Sequence, residues 1–137
     1  MALTVTHIPV QYVTQAWPMV EKYIKDAQQY DGGDYTVDQI KVYLSTGQWV
    51  LIAALDEQGV FHGAMTISFI SYPNDRIAFA TSTGGKMIIN KDSLKQLKAI
   101  VQQMGATKIQ AAVRPSMARL LSRTDFYERY MIVESKI

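Results

Sequence analysis

Two adjacent glycines followed by a lysine are the part of this sequence best suited to hold an anion. They lie in the segment Thr83-Gly84-Gly85-Lys86. Glycine lets successive backbone N–H groups turn toward one point, and such a nest beside a lysine can bind a phosphate. The same residues can instead form an ordinary glycine turn that links a strand to a helix. Both interpretations remain open.

Few other residues have the types and spacing of a catalytic or metal site. The chain has no cysteine, which excludes disulfides, thiolate metal sites and a cysteine nucleophile. The only histidines, His7 and His62, are not at metal-ligand spacing from another ligand, so no metal site is predicted. The acidic loop at residues 31–34 lacks the periodic oxygen ligands of a calcium loop.

Composition places the chain among ordinary globular domains. Apolar residues make up 48% and charged residues 19% of its 137 residues, and this length favours one domain spanning residues 1–137. The net charge of +2 is too small, and the basic residues too dispersed, to indicate a nucleic acid or membrane partner. The N-terminus lacks a secretion signal and no apolar run is long enough to cross a membrane, so an intracellular location is expected.

Apolar periodicity predicts six strands and four helices in the order β-α-α-β-β-β-α-β-α-β. The predicted strands are at residues 3–10, 49–55, 61–72, 76–82, 108–113 and 127–133. The first and fourth predicted helices begin at Pro18 and Pro115. The second begins with a capping box formed by Thr36 and Gln39. The third follows residues 90–92, with Asp92 or Ser93 as its cap.

This order, read together with residues 114–126, resembles the GNAT superfamily of acyl-CoA-dependent N-acyltransferases. The helix after the fifth strand of that family commonly reads Asn-x-x-Ala-x-x-Leu-Tyr-x-x-x-Gly-Phe. The Asn, Ala, Leu and Phe positions are occupied here by Arg114, Met117, Leu120 and Phe126. The resemblance covers essentially the whole chain. It implies an α/β fold, a mixed and mainly antiparallel sheet with helices on both faces.

The resemblance also implies acetyl-CoA as the cofactor. The backbone of the fourth strand would hold the pantetheine arm, and the glycine-lysine segment would hold the pyrophosphate. The implied cofactor-binding residues are Phe79, Ala80, Thr81, Gly84, Gly85 and Lys86. The family's glycine loop leads straight into a helix, whereas residues 87–91 intervene here, and an acidic cap at Asp92 would repel a phosphate.

The residues for proton transfer depart further from the family. Leu121 stands where many members have a tyrosine that protonates the departing thiolate, and Asp125 stands where they have glycine. Tyr127 and Tyr130 are the weak candidates to replace that catalytic acid. The strands at residues 76–82 and 108–113 carry no carboxylate for a general base, and Asp75 and Glu128 are the distant candidates.

A narrower resemblance is to the short GNAT-like proteins of tailed bacteriophages. Those proteins also carry a Gly-Gly after the fourth strand, an Arg-Pro-x-x-Ala-Arg-x-Leu stretch and a Lys-plus-aliphatic end, here Gly84-Gly85, residues 114–121 and Lys136-Ile137. This resemblance implies a catalytically degenerate accessory module in the virion or the host cytoplasm. Its partner would be a virion or host protein. The predicted final strand at residues 127–133 can pair within the chain or add to a neighbour's sheet, and the second arrangement would form an oligomer. An acetyl-CoA-dependent N-acetyltransferase acting on a small amine or a protein amine is the alternative.

Overall fold

A five-stranded sheet organises the computed structural model, which describes residues 2–30, 33–87 and 90–137. The strands are β1 (Thr4–Ile8), β2 (Val50–Leu55), β3 (Phe61–Ser71), β4 (Arg76–Gly85) and β5 (Lys108–Ala111). The α-helices are α1 (Val13–Ala27), α2 (Val37–Ser45), α3 (Lys91–Gln103) and α4 (Pro115–Leu121). The order of elements follows the sequence prediction as far as α4.

The strands lie side by side in chain order, and helices cover both faces of the sheet. The first three pairings are antiparallel, whereas β5 runs parallel to β4 because α3 returns the chain between them. One buried cluster joins α1 and α2 to the sheet: Val13, Ala16, Trp17, Val20, Ile24, Ile40, Leu44, Trp49, Leu51 and Ala64. The other includes α3: Leu3, Val5, Ile52, Ala54, Met65, Ile67, Ala78, Ala80, Met87, Leu97 and Val101. This is the predicted mixed, mainly antiparallel architecture.

Helix α1 begins earlier than the sequence analysis proposed. Its first residue is Val13, so Pro18 lies inside the helix and not at its first position. A proline there removes one backbone hydrogen bond. Val13 and Trp17 are 2% and 6% exposed, and their burial against the sheet offsets that loss. Val13, Ala16 and Trp17 precede the proline at helical spacing, and their burial outweighs the preference of proline for a helix start.

The predicted N-terminal cap of α2 is confirmed, and that of α3 is corrected. The capping box at α2 is present, with Thr36 Oγ1 accepting from Gln39 N at 3.1 Å and Gln39 Oε1 accepting from Thr36 N at 2.9 Å. Helix α3 is capped by Asn90, whose Oδ1 accepts from Ser93 N at 2.8 Å. The predicted cap, Asp92 or Ser93, was wrong because the helix already begins at Lys91.

Strand β4 continues through the two glycines. The sequence analysis placed a break at residues 83–86, but Thr83, Gly84 and Gly85 pair with Met65, Ala64 and Gly63 of β3. Glycine is a weak strand former by itself. The strand continues here because β3 supplies a full set of partners, including a glycine opposite Gly85.

The final strand predicted at residues 127–133 is wrong for the isolated chain. Residues 127–137, here called the C-terminal segment, have no regular secondary structure. Tyr130, Met131, Ile132 and Val133 are 65%, 89%, 80% and 90% exposed. These residue types favour a strand, but a strand forms only where a neighbour pairs with it. Among the described residues, β5 pairs with β4 alone.

None of the helices in the described ranges is both long and apolar enough to span a lipid bilayer.

Candidate functional site

A β-bulge at Thr81 marks the centre of the candidate site. Ala80 faces Ile67 of β3 and Ser82 faces Thr66, so Thr81 is the extra residue on β4. Its hydroxyl donates to the Thr66 carbonyl at 3.1 Å and lies 2.7 Å from the Thr66 hydroxyl. Because the Thr81 proton is used on the carbonyl, the Thr66 hydroxyl is the donor between the two side chains.

Strands β4 and β5 separate at the same place. Their last paired residues are Ala80 and Ala111, while β4 continues five residues further to Gly85. The opening lies at the carboxyl ends of two parallel strands, where α/β sheets commonly bind ligands. Residues 81–85 present a strand edge that β5 does not cover, and such an edge can hydrogen-bond an extended ligand that carries amide groups.

Five of the six predicted cofactor residues lie on β4, and Lys86 follows the strand directly. Phe79, Ala80 and Thr81 lie where β4 and β5 separate. The Lys86 N–H donates to the His62 carbonyl at 2.9 Å, so β3 already occupies that donor. The assignment of Phe79, Ala80, Thr81, Gly84, Gly85 and Lys86 to the cofactor stays a prediction.

The two glycines also allow close packing. A Cβ built on Gly84 would lie 2.0 Å from the Tyr23 carbonyl oxygen of α1. A Cβ on Gly85, whose φ is +69°, would lie 2.4 Å from the His62 carbonyl oxygen. The absence of side chains therefore lets α1 and β3 approach the end of β4, a role that sequence spacing did not reveal.

Ser82 is a residue that the sequence analysis missed. It is 6% exposed and pairs with Thr66 on the neighbouring strand β3. Its Oγ has no hydrogen-bond partner among the described residues. A buried hydroxyl without a partner is uncommon. It lies directly after the bulge, so the register shift at Thr81 determines which face it occupies. No sequence pattern indicates that shift.

We expect Ser82→Ala to raise the free energy of unfolding by about 1 kcal/mol, because it removes a buried hydroxyl that has no partner in the described part of the chain. Urea denaturation measures the change. Thr66→Val is the matched control, since it removes a buried hydroxyl that is hydrogen-bonded to Thr81 and should lower the same free energy. Equal losses in the two variants would show that Ser82 does have a partner.

A basic groove runs along α3 beside the segment that follows α4. It has a volume of about 700 Å³. Its lining residues come from one face of α3 and from the end of α4: Lys91, Leu94, Lys95, Lys98, Ala99, Gln102, Arg123, Thr124 and Asp125. Four of these side chains are basic and one is acidic. Helix α3 follows β4 and α4 follows β5, so both helices begin at the edge of the sheet where the two strands separate.

One ion pair crosses this groove. Lys98 Nζ lies 2.6 Å from both carboxylate oxygens of Asp125. The hydrogen bond from Lys98 lowers the pKa of Asp125. Lys91, Lys95 and Arg123 remain as positive charges lining the groove. Lys91, Lys95 and Lys98 are spaced so that they share one face of a helix, and this spacing was the sequence signal for the basic side of the groove.

The three arginines of the α4 region do not form one patch. Arg123 lines the basic groove, whereas the Arg114 guanidinium stacks 3.9 Å from the ring centre of Tyr30. Arg119 is exposed in the last turn of α4.

The positions predicted for proton transfer are dispersed. Leu121 is 6% exposed, so its side chain packs into the protein. Tyr127 and Tyr130 are 75% and 65% exposed in the C-terminal segment. Neither tyrosine is held by a regular element. Their assignment as the catalytic acid stays a prediction.

The candidate general bases lie away from the bulge. Asp75 directly precedes β4 and is six residues from Thr81, about 20 Å along an extended strand. Its carboxylate accepts from Lys108 at 3.0 Å and from Thr107 at 2.9 Å, and these bonds, that from Lys108 foremost, lower the pKa of Asp75. Asp75 thereby ties the start of β4 to the start of β5. Glu128 is exposed in the C-terminal segment.

The histidines have structural contacts. His62 Nε2 lies 2.8 Å from Asp56 Oδ2, and this contact lowers the pKa of Asp56. Burial lowers the pKa of His7 on β1. Within the described ranges, no three His, Asp or Glu side chains come together as a metal site would need.

Solved structures with the same fold include acetyltransferases. The aminoglycoside acetyltransferase meta-AAC0020 from an uncultured soil metagenomic sample, in complex with sisomicin, matches with a TM-score of 0.68 and 9% identity over 98% of this chain and 96% of that chain. A predicted acetyltransferase with acetyl-CoA from Clostridium acetobutylicum matches with a TM-score of 0.65 and 12% identity over 98% and 96%. The aminoglycoside antibiotic 6'-N-acetyltransferase AAC(6')-Ih from Acinetobacter baumannii matches with a TM-score of 0.64 and 10% identity over 99% and 98%.

These likenesses confirm the predicted fold class. The chain has the mixed α/β fold of GNAT-type acetyltransferases along nearly its whole length. No family model matches the chain. No curated protein matches it significantly. The resemblance to the phage proteins stays a prediction.

Proposed function

We propose that this chain binds acetyl-CoA and transfers the acetyl group slowly to a small amine or a protein amine. The observation that carries this proposal is the separation of β4 and β5 at the Thr81 bulge. The uncovered edge of residues 81–85 matches the pantetheine arm of the cofactor, which is extended and contains two amides. Phe79 and Ala80 form the closed end of the opening, where the thioester would lie.

The basic groove supports the same proposal. Coenzyme A carries phosphates on its nucleotide end. The groove has Lys91 and Lys95 near the start of α3, the helix that follows β4, and Arg123 after the end of α4. Its charge also changes the interpretation of Asp92. That carboxylate accepts from Gln96 Nε2 at 2.9 Å and is not among the groove residues, so it need not repel a phosphate bound there.

We expect the transfer to be slow because Leu121 stands where a catalytic acid would protonate the departing sulfur. Bound acetyl-CoA supplies a thioester whose acyl group passes to the amine as the carbon–sulfur bond breaks and the amine proton passes to water. Leu121 offers no proton to the departing sulfur. A thiol has an ordinary pKa of about 8.5, so a thiolate can leave without a protein acid. The missing acid still costs a factor of about 10²–10⁴ in rate.

A second candidate function is a non-catalytic accessory module of the phage type, in a virion or in the host cytoplasm. The burial of Leu121 favours it, because the position that would carry the catalytic acid serves instead to pack α4. In this case the chain would act by binding a virion or host protein. The resemblance of Gly84-Gly85, residues 114–121 and Lys136-Ile137 to phage proteins supports the same function.

Two measurements on the intact protein separate these functions. We expect acetyl-CoA and coenzyme A to raise the melting temperature with concentration, since a ligand at a hundredfold excess over its Kd stabilises the native state by about 2.7 kcal/mol. Thiol release in the presence of a panel of amines then measures transfer. Stabilisation with slow, amine-dependent thiol release supports the first function. Stabilisation without thiol release supports the accessory module, and no stabilisation at millimolar acetyl-CoA would rule out the cofactor.

A further inference from the structure

We propose that Arg114 binds a carboxylate on the acceptor, so that the substrate is a small primary amine that also carries a carboxylate group. This inference rests on the proposed function and names the class of its acceptor. The guanidinium carbon of Arg114 lies 3.9 Å from the centre of the Tyr30 ring. That contact joins the two walls of the opening between β4 and β5.

Tyr30 and Arg114 belong to opposite walls of this opening. Tyr30 ends a short helical turn that follows α1 directly, and the α1 residue Tyr23 packs closely against Gly84 on β4. Residues 112 and 113 separate Arg114 from Ala111, the last residue of β5 that pairs with β4. The contact between Tyr30 and Arg114 therefore lies at the mouth of the opening, on the face of the sheet that α1 covers.

Local structure holds both side chains in place. The Gln28 side chain donates to the Tyr35 carbonyl, which ties together the chain before and after Tyr30. Arg114 precedes Pro115, and a following proline restricts its backbone to the extended conformation observed, with a φ of −73° and a ψ of 159°. Stacking on the aromatic ring orients the plane of the guanidinium. A ligand that binds there has little conformational entropy to remove.

The guanidinium of Arg114 has unused hydrogen-bond donors. Arginine carries five N–H donors in a planar fork, and a ring stacked on that plane leaves its edges open. Within the described ranges, Arg114 has neither an ion pair nor a side-chain hydrogen bond. Arg76 differs, because its guanidinium lies over Phe69 and also donates to the Met104 carbonyl at 3.3 Å. The edge of Arg114 is thus available to a ligand.

A carboxylate is the group that fits this edge. Two parallel N–H donors of a guanidinium match the two oxygens of a carboxylate, and such pairs are stronger and more directional than neutral hydrogen bonds. The phosphates of the cofactor have other positive charges available in the basic groove, which α3 lines on the opposite face of the sheet from α1. Arg114 therefore remains for the second substrate, the acceptor.

The position of Arg114 also limits the size of the acceptor. The thioester would lie at the closed end of the opening, where Ala80 pairs with Ala111. The extended chain from Ala111 to Arg114 spans at most about 11 Å. An amino acid of a few carbon atoms or a short peptide covers such a distance. A bulky protein surface would have to break the contact between Tyr30 and Arg114, so the small amine is favoured over the protein amine.

Ligand-observed NMR without the cofactor tests carboxylate binding directly. The probes are β-alanine, γ-aminobutyrate and ε-aminohexanoate, each compared with its own amide, which has the same amine and nearly the same size. We expect at least one acid to bind about tenfold more tightly than its amide, because a hydrogen-bonded pair of charged groups replaces a neutral contact. Equal dissociation constants for every acid and its amide would overturn the proposal.

Matched variants assign this preference to one side chain. Arg114→Gln should remove the difference between acid and amide, and Arg114→Lys should keep only part of it because an ammonium lacks the planar fork. Arg119→Gln is the control, since it removes the same charge from an exposed position on α4. Circular dichroism should show that all variants fold. A preference that persists in Arg114→Gln, or that disappears equally in Arg119→Gln, would contradict the assignment.

Tyr30 acts as a positioning residue, because it touches the guanidinium and not the ligand. Tyr30→Phe keeps the ring and should keep the preference for the acid. Tyr30→Leu removes the ring and should weaken the binding of the acid more than that of the amide. The same NMR titrations measure both variants, and identical results for phenylalanine and leucine would show that the stack does not position Arg114.

Thiol release from acetyl-CoA separates this inference from the proposed function. We expect faster release with the preferred acid than with its amide. No release with any amine, together with tighter binding of the acid, would refute acetyl transfer and retain the carboxylate site. Equal release with acids and amides, together with equal dissociation constants, would refute the carboxylate site and retain acetyl transfer.

Discussion

Replacing Gly84 with alanine is expected to lower the free energy of unfolding by about 3 kcal/mol or more. The added Cβ would lie 2.0 Å from the Tyr23 carbonyl oxygen and 2.7 Å from its carbonyl carbon. Both neighbours are backbone atoms of α1, so no side-chain rotation can relieve the clash. Helix α1 and strand β4 must move apart instead, which disturbs the buried cluster between them. Urea denaturation of the variant measures the loss.

Gly59→Ala is the control for this experiment. Gly59 has a φ of +80° in the turn before β3, and a Cβ there would meet nothing within 4 Å. This variant therefore tests the backbone penalty without a clash, and its cost should be about 1 kcal/mol. If Gly84→Ala cost no more than Gly59→Ala, the close approach of α1 to β4 would be incorrect.

Reversing two charges in the basic groove is expected to weaken acetyl-CoA binding by about 30- to 100-fold, if each reversal removes roughly 1 kcal/mol or slightly more. The variant is Lys91→Glu with Lys95→Glu. It turns an excess of three positive charges among the lining residues into an excess of one negative charge. Both positions are exposed on α3, so the fold should tolerate the change. Isothermal titration calorimetry measures the Kd.

Lys22→Glu with Lys41→Glu is the matched control for the groove. It changes the net charge by the same amount on α1 and α2, which cover the opposite face of the sheet from α3. We expect its Kd to stay near the wild-type value. An equal loss in both double variants would mean that overall charge, and not the groove, governs binding.

Most of the fold could be predicted from the sequence because its signals are local. The capping box at Thr36 depends on residues three apart, and both of its hydrogen bonds are present. Pro115 begins α4 at the position where its missing N–H costs nothing. The run of residues 50–55 is apolar because β2 is covered on both faces, with Leu51 and Ile52 in different buried clusters.

The errors arose where a distant part of the chain decides the outcome. Gly84 and Gly85 look like a break until β3 supplies their partners. Residues 127–133 look like a strand, but none of the strands in the described chain pairs with them. Pro18 looks like a helix start, yet the burial of Val13 and Trp17 extends α1 past it.

The candidate site was only partly predictable for the same reason. The position of residues 79–81 could be inferred from the family resemblance, because it depends on the order of strands. The bulge at Thr81 could not, since residues 77–81 alternate without interruption and the shift exists only relative to β3. The Ser82 hydroxyl, which has no partner in residues 2–30, 33–87 and 90–137, depends on that register. The basic groove depends on how α3 meets the end of α4.

The ion pair between Lys98 and Asp125 lies in the wall between two grooves. Lys98, Gln102 and Asp125 line both the basic groove and the groove beside β5. An anion in the first groove competes with Asp125 for Lys98, and Asp125 is also where the C-terminal segment is anchored. Anion binding in the basic groove and the position of the C-terminal segment would therefore be thermodynamically linked. By reciprocity, whatever factor the anion applied to the release of the segment, release of the segment would apply to anion affinity.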